Sequence, residues 1–151
     1  VSGCRRRCKS CFNSATWDFK YGAPFTADTE EEILAALAPG YISGLTVRGG
    51  EPFAKENQRD LLPFLKKVRQ RFPEKSIWLF TGSTMERDLA PGGANYCEAT
   101  EPLLALADVL VDGEFIEELY DTSLKVRGSS NQRLIDLAKT RETGGVVLWD
   151  K

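Results

Sequence analysis

Three of the four cysteines in this chain fall within one short stretch, Gly3-Cys4-Arg5-Arg6-Arg7-Cys8-Lys9-Ser10-Cys11-Phe12-Asn13, at the spacing C-x3-C-x2-C. A loop this short can turn three thiolates toward one point, which is what a metal centre requires. Soft sulfur donors select zinc or an iron–sulfur cluster. A structural zinc site is normally closed by four Cys or His ligands. The chain contains no histidine, and the remaining cysteine, Cys97, stands far downstream. Three ligands on a four-iron cluster leave one iron without a protein ligand and open to a small molecule. A zinc loop closed by Cys97 is the bland alternative; otherwise Cys97 is expected to be an unliganded thiol.

Further segments carry residue types suited to a ligand site. Arg48-Gly49-Gly50-Glu51-Pro52 offers two glycines where backbone can approach a partner that a side chain would block. A Gly-Gly pair on its own is more often a simple turn. Thr81-Gly82 and Asp112-Gly113 each follow an apolar run, as either ligand-facing polar residues or ordinary strand-end turns. Arg127-Gly128-Ser129-Ser130-Asn131-Gln132 contains no general base or nucleophile. The basic run Arg5, Arg6, Arg7 and Lys9 reads either as solvated charge or as charge that balances an anionic cluster or guides an acidic partner. Phe12, Trp17, Phe19 and Tyr21 are expected to pack around the cysteine loop and shield it, since exposure helps set a cluster's potential.

These residues must be positioned by regular elements. Thr29 and Glu32 form a capping-box pattern ahead of Ile33, Leu34 and Leu37, so a helix starts there and stops at Pro39-Gly40. Leu45-Thr46-Val47 reads as a short strand delivering the Gly-Gly-Glu segment. Apolar residues at helical spacing predict a helix over 60–72, with Pro63 in its first turn, where a missing N–H costs nothing. Ile77-Trp78-Leu79-Phe80 reads as a strand buried on both faces. Residues 83–99 read as loop with one helical turn, residues 101–107 as a short helix, and Val109-Leu110-Val111 as another buried strand. A helical turn is expected near 115–119 and a closing strand over 146–149. Val1-Ser2 look like the tail of a strand whose beginning is missing. Strands alternating with helices predict an α/β fold with a parallel sheet. Such sheets collect ligands at the C-terminal ends of their strands. The cysteine loop, Gly49-Gly50-Glu51, Thr81-Gly82 and Asp112-Gly113 all follow strands, so they converge on one edge.

With 151 residues, residues 1–151 are expected to form one domain with a real core. No apolar run approaches the roughly 18 residues that span a bilayer, so no membrane role is expected. The formal net charge of −2 makes no case for nucleic acid. Clustered cysteines in a chain of this size do not read as a disulfide framework, and a reducing cytoplasm would keep the thiols free.

The C-x3-C-x2-C spacing resembles the signature of radical SAM enzymes, in which S-adenosylmethionine (SAM) chelates the open iron of a 4Fe–4S cluster. Taken in order with Thr16-Trp17, Arg48 to Pro52, Val109 to Gly113 and Arg127 to Gln132, it resembles the activating proteins of anaerobic (class III) ribonucleotide reductase, from residue 2 to about residue 133. The resemblance implies an abbreviated, partial radical SAM (βα) barrel, open on one side. Cys4, Cys8 and Cys11 would ligate the cluster; Gly49 and Gly50 would receive the methionine amino group, with Glu51 holding that loop. Thr81 and Asp112 would help hold the methionyl end of SAM or a cation. The implied chemistry is one-electron cleavage of SAM to a 5′-deoxyadenosyl radical, which takes hydrogen from a glycine Cα of the reductase. Implied partners are the reductase, a one-electron donor such as a flavodoxin, and a second copy in a homodimer. Arg127 to Gln132 would either contact the reductase or wrap the SAM site. An activase of the pyruvate formate-lyase type, or a non-catalytic iron–sulfur electron carrier, are the alternatives.

Overall fold

The structure is a computed structural model and describes residues 1–9, 11 and 14–149. Its regular elements, in chain order, are α1 (Ala27–Leu37), β1 (Gly44–Val47), α2 (Lys55–Arg71), β2 (Ser76–Phe80), α3 (Met85–Asp88), α4 (Thr100–Leu106), β3 (Val109–Asp112), β4 (Arg133–Asp136) and α5 (Leu137–Thr143). A 3₁₀ turn over Ser14–Trp17 follows the cysteine loop, and a second spans Glu117–Leu119.

The strands form one open sheet in the order β1-β2-β3-β4. β1, β2 and β3 run parallel, as expected where a helix connects successive strands. β4 runs antiparallel to β3, so the sheet is mixed and not wholly parallel. No α-helix intervenes between β3 and β4 to carry the chain back for a parallel pairing. The closing strand expected over 146–149 is reduced to a bridge between Leu148 and Ile135, with Trp149 N–H donating to the Leu134 carbonyl at 2.8 Å.

One face of the sheet carries the core. Val47, Leu79, Leu110 and Ile135 point to it, and Leu34, Leu61, Phe64, Leu65, Val68, Leu103 and Leu137 cover it from the helices. In α2 the residues Leu61, Phe64, Leu65 and Val68 recur at i, i+3, i+4 and i+7, which places them on one stripe. Among the described residues, no α-helix contributes to the core from the opposite face of β1 and β2. β2 is therefore buried on one side only: Ile77 and Leu79 are fully enclosed, whereas Trp78 and Phe80 are half-buried. Trp149 packs edge-on to Trp78 at 5.6 Å, leaving the Phe80 end of that face open. β3 is buried on both sides, as its continuous apolar run predicts.

Two helix starts differ from the sequence pattern. Thr26, not Thr29, is the N-cap of α1, its hydroxyl accepting from Thr29 N–H at 3.3 Å. α2 begins at Lys55, a full turn and more before its first core residue, because its opening residues are mostly polar and carry no apolar period. Pro63 consequently lies in the helix interior, on the solvent side. There it leaves the Arg59 carbonyl without its i+4 amide. Replacing it by alanine restores that bond without touching the core. Pro63→Ala is expected to stabilise the fold by about 1–3 kcal/mol. A urea-unfolding midpoint that stays put or falls would show that the helix has already absorbed the defect.

Candidate functional site

The C-terminal ends of β1 and β2 deliver Arg48 to Glu51 and Thr81-Gly82 to one rim of the sheet. The chain start is laid against this rim: Gly50 N–H donates to the Val1 carbonyl at 2.9 Å, and Glu51 N–H to the Gly3 carbonyl at 2.7 Å. Residues 1–3 thus pair with the continuation of β1 like the end of a strand, without forming a regular one. Gly3 and Cys4 in turn donate to the Thr16 and Trp17 carbonyls at 2.7 and 3.1 Å, closing the cysteine segment into a loop.

The two glycines make this seating possible. Gly49 has φ +125°, a left-handed conformation that side chains disfavour. A Cβ on Gly50 would lie 2.6 Å from the Gly3 carbonyl oxygen and 2.7 Å from that of Thr16. The Gly-Gly pair therefore admits the backbone of the cysteine loop itself, in addition to facing the cavity described below.

Glu51 is the centre of the arrangement. Its side chain is buried, yet every donor it needs is present. One oxygen accepts from Thr81 Oγ1 at 2.6 Å and Phe53 N–H at 3.0 Å; the other accepts from Gly82 N–H at 2.8 Å and Arg6 Nε at 3.3 Å. Arg6 continues inward, donating to Ser83 Oγ at 2.9 Å and approaching Asp88 to 3.7 Å. Asn95 completes the network by donating to Ser83 Oγ at 2.6 Å. Nothing in the run Arg5-Arg6-Arg7 singles out Arg6 by type. The available signal is the buried carboxylate two glycines downstream of a strand, which requires a cation.

The other basic residues stay outside. Arg5 pairs with Glu56 on α2 and lies over the Phe19 ring at 4.5 Å. That pairing holds the Glu56 carboxyl at about 2, below its ordinary 4.5. The tie is therefore complete above pH 4.5 and loosens as pH falls toward 2, an effect that salt weakens at this exposed site. Arg7 lies over Trp17 at 5.3 Å, and Lys9 pairs with Glu117 at 3.2 Å. Trp17 and Phe19 are half-buried against the loop, while Tyr21 is 54% exposed and shields nothing. Phe12 lies outside the described residues, as do Ser10 and Asn13.

On the helix-free face these pieces enclose an open cavity of about 1230 Å³. Its lining includes Cys4, Cys8 and Cys11 from the loop, Gly49, Gly50, Glu51, Thr81 and Gly82 from the strand-end rim, and Phe115, Glu117, Arg127 and Gln132 from the segment after β3. Of the residues predicted from sequence, Asp112 is the one the cavity excludes. Its carboxylate is fully buried and taken by Arg133, at 2.9 and 2.6 Å, and by Met85 N–H at 2.9 Å. Two carboxylates, Asp112 and Glu86, push the Arg133 guanidinium further toward its charged form.

The donor set suits an iron–sulfur cluster. All three loop cysteines are half-buried free thiols that line the same cavity. Burial pushes the Cys8 thiol up, with Glu114 and Cys4 adding to it, so ligation there releases a proton. Among the described residues, no three Cys, Asp or Glu side chains gather closely enough for one metal ion. In a cluster the three cysteines would each bind a different iron. Cys97 stands apart from the cavity, 8% exposed, its thiol 3.6 Å from Gln58 Oε1.

A family model described as a 4Fe-4S single cluster domain matches residues 1–135, which defines the class of the site. Curated relatives narrow it. An anaerobic ribonucleoside-triphosphate reductase-activating protein of Vibrio cholerae is 39% identical over 134 residues, covering 87% of this chain and 81% of the relative. Proteins of the same name from Enterobacteria phage T4 and Escherichia coli are each 37% identical, over 89% and 87% of this chain and 79% and 82% of their own. The chain belongs to the family of anaerobic ribonucleoside-triphosphate reductase-activating proteins. No solved structure matches it.

Because Glu51 joins the cysteine loop to two strand ends, Glu51→Gln should cost the cluster-free protein about 2–4 kcal/mol in chemical unfolding. An amide places donors against donors and removes the charge that Arg6 Nε faces, leaving that guanidinium only the longer ion pair with Asp88. A loss below about 0.5 kcal/mol would remove Glu51 as the anchor.

Proposed function

We propose that this chain is a radical SAM activating enzyme: it holds a 4Fe–4S cluster on Cys4, Cys8 and Cys11, binds SAM beside it, and installs the glycyl radical of an anaerobic ribonucleotide reductase. The observation that carries the reading is the meeting of three thiols and the Gly-Gly-Glu rim on the walls of one cavity. The names of its relatives support the reductase as target, in preference to pyruvate formate-lyase. The fold reading that goes with it is a partial radical SAM barrel, contained in the one domain 1–151. Its parallel strands, open face and strand-end site support this.

When bound, the cluster supplies the electron that cleaves SAM reductively, and the cleaved cofactor supplies the hydrogen-abstracting power used on the reductase glycine. This chain's residues bind, orient and exclude water. The Gly49-Gly50 backbone faces the cavity and takes the methionyl end of SAM. Glu51 and Thr81 act one step back: their oxygens are already engaged in fixing the rim and the cysteine loop. Asp112 contributes through Arg133, holding β3 to β4 and to the start of α3. Trp17 and Phe115 line the same cavity as the cysteines and limit water there. No side-chain acid or base is needed, in keeping with a chain that has no histidine.

The open face leaves room for a folded protein substrate to present its glycine. A flavodoxin-type one-electron donor, a homodimeric assembly and a reducing cytoplasmic setting complete the proposal. Among the described residues, no helix is long and apolar enough to cross a membrane.

After anaerobic reconstitution, Cys4→Ala, Cys8→Ala and Cys11→Ala should each lose the stable cluster and all dithionite-driven release of 5′-deoxyadenosine from SAM. Cys97→Ala should keep both. Cluster loss in the Cys97 variant, or SAM cleavage surviving in any of the other three, would refute the ligand set.

A further inference from the structure

The segment from Val126 to Gln132 also lines the cavity, through Val126, Arg127, Gly128 and Gln132, and one of its atoms is unsatisfied. The Nε of Arg127 is buried and has no hydrogen-bond partner among the described residues. A desolvated guanidinium nitrogen without an acceptor is costly and points to a missing partner. The residue before it adds a second, independent sign. Val126 has φ +67°, a left-handed conformation that is a true outlier for a β-branched residue.

The surrounding segment over-determines this strained turn. Gln132 Oε1 accepts from Gly128 N–H at 2.9 Å and Ser129 N–H at 3.1 Å, and its amide donates to the Gly113 carbonyl at 3.0 Å. Ser129 is fully buried and its hydroxyl accepts from Ile116 N–H at 3.2 Å; Asn131 donates to the Glu114 carbonyl at 2.8 Å. Gln132 and Asn131 thus spend their amides on the wrap itself, leaving Arg127 as the residue of the segment that faces the cavity with a charge.

The carboxylates that line the cavity are already engaged: Glu117 pairs with Lys9 at 3.2 Å. Glu51 is saturated by four donors, one of them from Arg6. Arg48 is a cation as well, lying over Phe80 at 4.6 Å. A ligand in the cavity would bring Arg127 its acceptor, and a guanidinium favours an anionic one. We infer that Arg127 binds the carboxylate of the ligand that fills this cavity, which under the function proposed above, on which this inference rests, is the α-carboxylate of SAM. That carboxylate is the one anionic group of SAM, whose sulfonium and amine are cationic. Arginine suits it, because its planar fork matches a carboxylate in two-point contact. The Arg127 to Gln132 segment then closes the cofactor pocket and does not read the surface of the reductase.

The test compares SAM with decarboxylated SAM, which keeps the adenosine, sulfonium and amine. Equilibrium binding of each is measured anaerobically on cluster-loaded wild type, Arg127→Ala and Arg127→Lys. SAM affinity should fall about ten- to a hundred-fold in Arg127→Ala, while decarboxylated SAM binds wild type and variant alike. Arg127→Lys, which keeps the charge, should recover part of the loss, and it carries the comparison if the alanine variant fails to load its cluster. Equal losses for the two ligands would overturn the inference in favour of a packing role. Unchanged SAM affinity with weakened binding of the reductase would overturn it in favour of partner recognition. A wild type that loads its cluster and binds no SAM would remove the functional reading itself, and this inference with it.

Discussion

The buried carboxylate of Glu51 is the constraint on which the site depends. An ionised group out of water persists only when its lone pairs are taken. Here they are taken by donors from the cysteine loop, from the turn after β1 and from the turn after β2. Satisfying one charge therefore fixes three chain segments relative to each other. The cost of misplacing any one of them is an unpaired buried charge, which is large enough to hold a loop that has little apolar packing of its own. Arg6 is the link that carries this constraint into the cysteine segment.

The asymmetry of the sheet follows the same logic from the other side. Helices α1, α2, α4 and α5 cover one face and supply the hydrophobic core. The other face is left to the cysteine loop, the rim glycines and the segment after β3, none of which is a regular element across β1 and β2. Stability is thus concentrated on the helix-covered face, and the cavity side is free to stay open. The glycines at 49 and 50 belong to both halves: they let the loop's backbone touch the sheet rim and leave the rim accessible from the cavity.

Much of this could be read from the chain. The cysteine spacing, the three parallel strands and the strand-end position of Gly-Gly-Glu and Thr81 are local features with local signals, and each stands where the pattern puts it. Helix starts were less legible, because Lys55 to Arg59 is polar and α2 gains its helicity there by continuation from a packed stripe. β4 and α5 were not expected. Arg133 to Asp136 has a single apolar pair, and its pairing depends on the ion pair of Arg133 with Asp112 across the sheet. For α5 a signal was available: Asp136 caps it, accepting from Lys139 N–H, and Gly144 ends it in a left-handed conformation. Asp112 shows the limit of position as evidence. A strand-end carboxylate looks like a ligand-facing group until a neighbouring arginine, distant in sequence, is found to occupy it. Arg6 is the reverse case, one member of a basic run whose inward turn is decided by a carboxylate 45 residues away.

The most direct measurement of the central claim is the EPR spectrum of the reduced, anaerobically reconstituted protein before and after addition of SAM, with metal content determined on the same sample. Three cysteines held at the rim by the Arg6–Glu51 contact predict a four-iron cluster whose spectrum shifts when SAM reaches the open iron. Zinc in place of iron, or a four-iron spectrum indifferent to saturating SAM, would contradict the account.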